Sequence, residues 1–403
     1  MTLMKQKLVW VLPLIVAAVI FVFSLAMIPT INPTPVRLPI ALVSEDQGVT
    51  LPNGTATNMG ETLTGMIKQQ TSSTASADGP AIEWVHVNTE KEAMSGLDEQ
   101  KYYAALVVPA DFSQNQATLL TDKPVQPQLR IYVNQGMSAS ASTMAGQVLN
   151  QIVDTMNAKI RADLLAAAGK LSGKVTVQQA SVLAAPIAKD VKNVHETGTH
   201  TANGNAPVSL FQPIWMGSIL GGVMFYLVIS KLNFAYRRSL LAARVVQTVA
   251  GAVLALIAGF GLTWFAGSWG LHIPDGTATA IFLSLCYFAF FLMISAVLSW
   301  AGLKSMVLFV LLLFFGAPLL SLPSEMMGSF CRDYVFPWLP MRFMVEGLRE
   351  MFFFGRGLDW NHSTAVLTGI AAVSLVVLLG SALKARQNQQ TARGTVETQT
   401  VEA

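Results

Sequence analysis

The reading of this chain turns on TATAIFLSLCYFAFFLMISAVLSWAGLKSMVLFVLLLFFGAPLLSL, which runs from Thr277 to Leu322 and contains one charged residue, Lys304. A helix rises about 1.5 Å per residue and a bilayer's hydrocarbon core is about 30 Å thick, so the run is long enough to cross a membrane twice. Lys304 marks the expected turn between two spans, because an ammonium group is costly to hold inside hydrocarbon.

Composition extends that reading to the whole chain. Of 403 residues, 52% are hydrophobic and only 12% are charged, the balance of a multi-span membrane protein rather than a water-soluble one. The net charge is +3, and the basic residues flank apolar runs instead of forming a patch interleaved with aromatics. This disfavours nucleic acid as a partner. The two cysteines, Cys286 in a span and Cys331 in a loop, give no disulfide framework.

Working outward, Lys5 and Lys7 precede an apolar run from Leu8 to Ile28. It exceeds the roughly 7 to 15 residues of a signal-peptide core, so an uncleaved anchor is expected, although Ser24 and Ala26 offer a small-x-small cleavage pattern. Further spans are read at Pro213–Ile229, Val245–Phe265, Ala278–Leu303, Val307–Leu322 and Thr364–Leu383. The acid-free cluster Lys231, Arg237, Arg238 and Arg244, like Lys384 and Arg386, belongs on the cytoplasmic side. The expected fold is an α-helical polytopic membrane protein of six transmembrane helices, with an α/β extracytoplasmic domain inserted between the first two. Residues 1–28 are the cytoplasmic N-terminus and first helix, 29–210 the extracytoplasmic domain, 211–383 a five-helix membrane domain, and 384–403 a cytoplasmic polar tail.

In the inserted domain, Leu38–Val43, Ile82–Val87, Tyr102–Val108 and Leu129–Val133 read as strands; Met59–Gln70 and the stretch capped by Thr89 read as helices. Alternating strands and helices imply helices packed on a sheet. One long helix is expected over Ser138–Gly169, with Met144, Val148, Ile152, Met156, Ile160 and Leu164 as its apolar stripe. That stripe packs on the domain's own sheet or pairs with a second copy. The polar segment Val194–Ala206 reads as a flexible return to the membrane.

Chemistry-bearing motifs are missing. A phosphate-cradling loop needs the GxxxxGK[ST] spacing, and the chain lacks it, so any nucleotide hydrolysis must come from another chain. His195, Glu196 and His200 resemble HExxH, but an extra residue turns the histidines off a common helix face. No catalytic, cofactor or metal residue is expected. In the spans, Gly217 and Gly221, then Gly251 and Gly259, are candidate helix-packing positions, within one subunit or at a dimer seam.

Three separated stretches carry a family resemblance: LPIALVSEDQG at 38–48, NGNAP at 203–207 followed by Trp215, Met216 and Gly217, and LPMRF at 339–343 followed by Gly347, Leu348 and Arg349. In this order they resemble the phage-infection-protein (YhgE/Pip) family, which is similar to the permease subunits of type-2 ABC exporters (ABC-2 type). The resemblance implies a bacterial cell-membrane exporter subunit, working as a homodimer or heterodimer in the lipid bilayer, with separate cytoplasmic ATPase subunits. On that reading Asn233, Tyr236, Arg237 and Arg238 form a candidate ATPase-coupling loop; the alternative is that these cations only set topology. Pro337, Trp338, Pro340, Arg342, Gly347 and Arg349 form a candidate outer re-entrant segment, or a plain interfacial anchor. The rival function is a non-transporting surface receptor or scaffold whose outer domain binds a partner.

Overall fold

A computed structural model describes residues 35–50, 54–72, 79–121, 123–171, 176–232, 234 and 236–384, with the isolated positions 17, 20, 21, 24 and 25. The expected first span is therefore largely outside the described residues, and the tail from 385 onward lies wholly outside them. The chain divides into two compact units: residues 32–197 with 322–332, and residues 1–31, 198–321 and 333–403.

The first unit is a sheet domain. In chain order it contains β1 (Leu38–Ser44), β2 (Val49–Thr50), β3 (Ala56–Thr57), α1 (Met59–Ser72), β4 (Ile82–Val87), α2 (Glu90–Asp98), β5 (Ala104–Val108), α3 (Phe112–Ala117), β6 (Gln128–Asn134), α4 (Ala139–Leu171), α5 (Val177–Ala184) and β7 (Ala188–Val194). The main sheet has the order β4-β1-β5-β6-β7, parallel except between β5 and β6. Successive side chains of a strand point to opposite faces, and β1 divides accordingly. Leu38, Ile40 and Leu42 join a core with α1 and α4, whereas Ala41 and Val43 join one with α2.

Three features between residues 138 and 206, the last of them in the second unit, differ from the sequence reading. The buried stripe of α4 is Ala141, Ala145, Leu149, Ile152, Val153, Met156 and Ile160, packed on the sheet, with Met144, Val148 and Leu164 only partly buried. A strict fourth-residue row drifts by about 40° per step around a helix, so alternating steps of three and four are needed to stay on one face. The second difference is α5 and β7, which the sequence did not announce. Lys189, Asp190 and Lys192 mask the period of β7, an edge strand whose charges discourage pairing with another chain. The third is Thr201–Ala206, read as part of a flexible return but closed by turns: the Ala206 and Gly204 amides both donate to the Thr201 carbonyl, at 2.9 and 3.1 Å.

The segment 322–332 belongs to the sheet domain although a span precedes it. Val36 N donates to Glu325 O at 2.8 Å, Tyr103 Oη donates to Glu325 Oε2 at 2.8 Å, and Met326 enters the α4-side core.

The second unit holds α6 (Ala206–Ser230), α7 (Arg237–Ser268), α8 (Gly276–Ala301), α9 (Met306–Leu320), α10 (Pro340–Phe353) and α11 (His362–Gly380). Among the described residues, five helical stretches, α6, α7, α8, Leu303–Leu320 and His362–Leu383, are long and apolar enough to cross a membrane. The hairpin expected around Lys304 is present as a 3-10 turn, Leu303–Ser305, after Gly302 at φ +75°. α6 begins at Ala206 rather than Pro213; Pro207 takes the favoured first-turn position and Pro213 lies inside the helix. α7 begins at Arg237, so Arg237, Arg238 and Arg244, expected in a loop, are helical.

Candidate functional site

Within the membrane unit, α8 is the spine. It buries 72% of its apolar window, against 22 to 33% for the other spans, and packs on α6, α7 and α11. Glycine makes this possible, since a backbone without Cβ can come close to a neighbouring helix. At Gly217 a Cβ would lie 3.2 Å from the Tyr287 ring, and at Gly221 2.8 Å from Tyr287 Oη. Tyr287 Oη also donates to the Gly217 carbonyl at 3.1 Å. On α7, a Cβ at Gly251 would stand 2.2 Å from the Phe291 ring, and at Gly259 2.3 Å from the Ala280 carbonyl oxygen. All four glycines thus face α8 of the same chain. The sequence reading missed Gly222, where a Cβ would lie 2.9 Å from Ile294.

The candidate re-entrant segment forms a short 3-10 turn, Phe336–Trp338, then α10, with Pro340 in its first turn. Pro337 and Trp338 are exposed, Trp338 at 84%. Pro340, Met341, Phe343, Met344, Val345, Gly347, Leu348 and the run Met351–Phe353 are buried, because α10 is lodged against α6, α8, α9 and α11. Gly347 sets the approach to α8: its Cβ would meet the Phe282 ring at 2.3 Å. Arg342, Glu346, Arg349 and Glu350 recur at helical spacing and are half-buried. The Arg342 guanidinium lies over the Phe336 and Phe343 rings at 4.9 and 4.8 Å, with Glu346 Oε1 3.3 Å from its Nε. Arg349 donates to the Leu320 carbonyl at the end of α9, 3.3 Å. Glu350 accepts from Asn361, whose oxygen in turn caps α11 through Thr364 N, both at 2.8 Å. The charges of α10 therefore tie the ends of two spans to it.

At the other end of α7, Tyr236 is 75% exposed, and Arg237 and Arg238 are exposed in the first turn. Asn233 lies outside the described residues. Arg244, in the same basic cluster of sequence, is separated from these by burial. His195, read as part of a near-miss metal motif, has its ring nitrogens 3.0 Å from Asn134 Oδ1 and 3.1 Å from Asp98 Oδ1. Among the described residues no group of three or more His, Cys, Asp or Glu side chains could hold a metal.

Comparison with known proteins assigns these helices to a family. Residues 8–383 match the family described as ABC-2 family transporter protein. A curated relative, the "Uncharacterized protein YhgE" of Bacillus subtilis (strain 168), is 24% identical over 124 residues, covering 31% of this chain and 15% of that protein's own length. No solved structure matches. Because the family match runs through the sheet domain and every described span, the chain belongs to the ABC-2 family transporter proteins, multi-pass membrane components that are not themselves catalytic.

Proposed function

We propose that this chain is the permease subunit of an ABC-2-type exporter, moving a substrate outward with energy from a separate ATPase chain. The observation that carries the reading is the family match across residues 8–383, spanning five membrane-length helices. The close helix packing around α8 is further support, since simple anchors do not require a buried central helix. For that reason a receptor or scaffold that uses its spans only as anchors is the weaker reading.

In this proposal the chain crosses the bacterial cell membrane six times, with residues 8–28 as the first span and both termini cytoplasmic. Residues 29–210 form the extracytoplasmic domain, 211–383 the membrane domain, and 384–403 the cytoplasmic tail. Residues 322–332 support the topology. They share a core with the sheet domain, so the four spans between residues 197 and 322 must return the chain to the side it left. Two such subunits, as a homodimer or a heterodimer, make the working unit. Tyr236, Arg237 and Arg238, with Asn233 shortly before them in the sequence, meet the ATPase, a role favoured by the exposure of Tyr236, Arg237 and Arg238 at the start of α7.

The test is purification from the native host in mild detergent. A stoichiometric ATPase subunit is expected, and replacing Arg237 and Arg238 together by Gln should weaken its retention and lower transport-coupled hydrolysis severalfold. Repeated absence of any ATPase, with a secretion partner retained instead, would favour the scaffold. Intact coupling in the double variant would remove these arginines from the proposal while leaving the exporter reading in place.

A further inference from the structure

Near the start of α7 the membrane unit encloses a cation with no counter-ion among the described residues. Arg244 is 6% exposed and Gln247 1%. Arg244 Nη1 donates to Gln247 Oε1 at 2.8 Å. Arg244 Nε and Gln247 Nε2 are buried with no acceptor, and Ser295 Oγ of α8 is buried and equally unpartnered. Elsewhere among the described residues, Arg130, Lys189, Arg342 and Arg356 each have a carboxylate within 4.0 Å, but Arg244 has none.

The three unpartnered groups lie on two antiparallel helices, Arg244 and Gln247 on α7 and Ser295 on α8. Gly259 of α7 faces Ser284 of α8 and Gly251 faces Phe291, a register that brings Gln247 level with Ser295. A third helix closes the place: Ser295 Oγ is 3.6 Å from where a Cβ on Gly222 of α6 would stand. Two of these groups, a guanidinium N–H and an amide NH2, can only donate, and the hydroxyl can donate as well. Enclosing a guanidinium is strongly unfavourable unless an anion or several acceptors compensate it. A cation or a neutral apolar ligand would leave every one of these donors unsatisfied, whereas an oxyanion satisfies them together.

Depth narrows the choice of oxyanion. Arg244 immediately precedes the apolar stretch 245–265, whose length at about 1.5 Å per residue matches a hydrocarbon core of about 30 Å. Arg244 therefore stands at one end of the apolar stretch, where a long cationic side chain is within reach of the lipid phosphates. We propose that Arg244, Gln247 and Ser295 form a binding site for a phosphate oxyanion, supplied either by a phospholipid headgroup or by free phosphate. The site does not depend on ATP coupling or on which membrane face α7 begins from.

The experiment uses the full-length chain, delipidated in detergent. It is titrated separately with dioleoylphosphatidylglycerol, with dioleoylglycerol as the same tails without phosphate, and with inorganic phosphate. Retained ligand is read by native mass spectrometry and its effect by thermal unfolding. Saturable retention of the phospholipid but not of dioleoylglycerol is expected, weakened about tenfold or more by Arg244→Gln, as loss of a charged hydrogen-bond donor predicts. The exposed Lys304→Gln variant should bind as the parent does. Retention of inorganic phosphate with the same Arg244 dependence supports the site with a free-anion source. Equal retention of dioleoylglycerol and phosphatidylglycerol, or unchanged affinity in Arg244→Gln, overturns the proposal. If Arg244→Gln does not fold, Gln247→Met and Ser295→Ala decide: a severalfold loss in either supports the site, and unchanged affinity in both removes it.

Discussion

Asp46 and Glu45 explain why an acidic turn follows β1. Asp46 is 8% exposed and accepts from Gly60 N at the start of α1 and from Ser113 N at the start of α3, both at 2.9 Å; the Ser113 hydroxyl donates to it as well. Glu45 Oε1 accepts from Glu90 N at the start of α2, also at 2.9 Å. Two adjacent carboxylates thus serve the positive ends of three helices, where unpaired N–H groups and the helix dipole both favour an anion. Asp46→Ala should destabilise the sheet domain by about 3 kcal/mol, since it strands two buried amides and a hydroxyl; hydrogen exchange would report it as lost protection at the starts of α1 and α3. A second residue-scale prediction concerns Tyr132, whose phenol donates to Glu90 beside the Arg130–Glu90 pair at 2.5 Å. Burial, then the Glu90 hydrogen bond and charge, push this phenol up to about 12. The folded state therefore favours the neutral form. Its stabilising contribution is complete below about pH 10, the ordinary tyrosine value, and is lost as pH rises towards about 12. A phenolate absorbance difference titration of the parent against Tyr132→Phe should isolate one group ionising in that window; a group ionising near pH 10 would refute it.

At the scale of elements, α8 is held where it is by what α6 and α7 lack. The four candidate glycines differ in what they meet, so they should differ in tolerance. A Cβ at Gly259 collides with backbone, at Gly251 with a phenylalanine ring that can shift, and at Gly261 with nothing within 4 Å. Gly259→Ala should cost roughly 1 to 3 kcal/mol as overpacking, Gly251→Ala less, and Gly261→Ala nothing measurable. Thermal unfolding in detergent checks the order; equal costs at all three would mean these contacts do not govern α7 packing. α10 makes a parallel case. Its charges recur at helical spacing, yet they are half-buried, and Arg349 and Glu350 bind the ends of α9 and α11. In a Cys331→Ser background, cysteines at Met344 and Leu348 should resist an impermeant maleimide that labels Trp338→Cys rapidly. Uniform labelling from 338 to 353 would mean α10 is not lodged among the spans.

At the scale of the molecule, the sheet domain is not continuous in sequence: residues 322–332 complete it after four spans have intervened. Impermeant labelling of intact cells should therefore modify Glu61→Cys and the native Cys331 alike, and modify Tyr236→Cys only after permeabilisation. Modification of Tyr236→Cys in intact cells would reject the proposed sidedness.

The spans were legible in the sequence because length and hydrophobicity belong to a contiguous stretch: residues 277–322 announce α8, the turn at Lys304 and α9 with no knowledge of their neighbours. The early strands were legible for a similar reason, since a two-residue alternation or a short apolar run is local. The edge strand β7 was not, because a strand paired on one side need not alternate. Nor was the burial of Arg244, which in sequence resembles its exposed neighbours Arg237 and Arg238; only the meeting of α6, α7 and α8 separates them. The run in 277–322 determines by itself that this protein crosses a membrane. Tertiary structure alone decided that α8 is its buried centre, that 322–332 completes the sheet domain and that one arginine is enclosed with no acid beside it among the described residues, because each depends on residues far apart in the chain coming within contact distance.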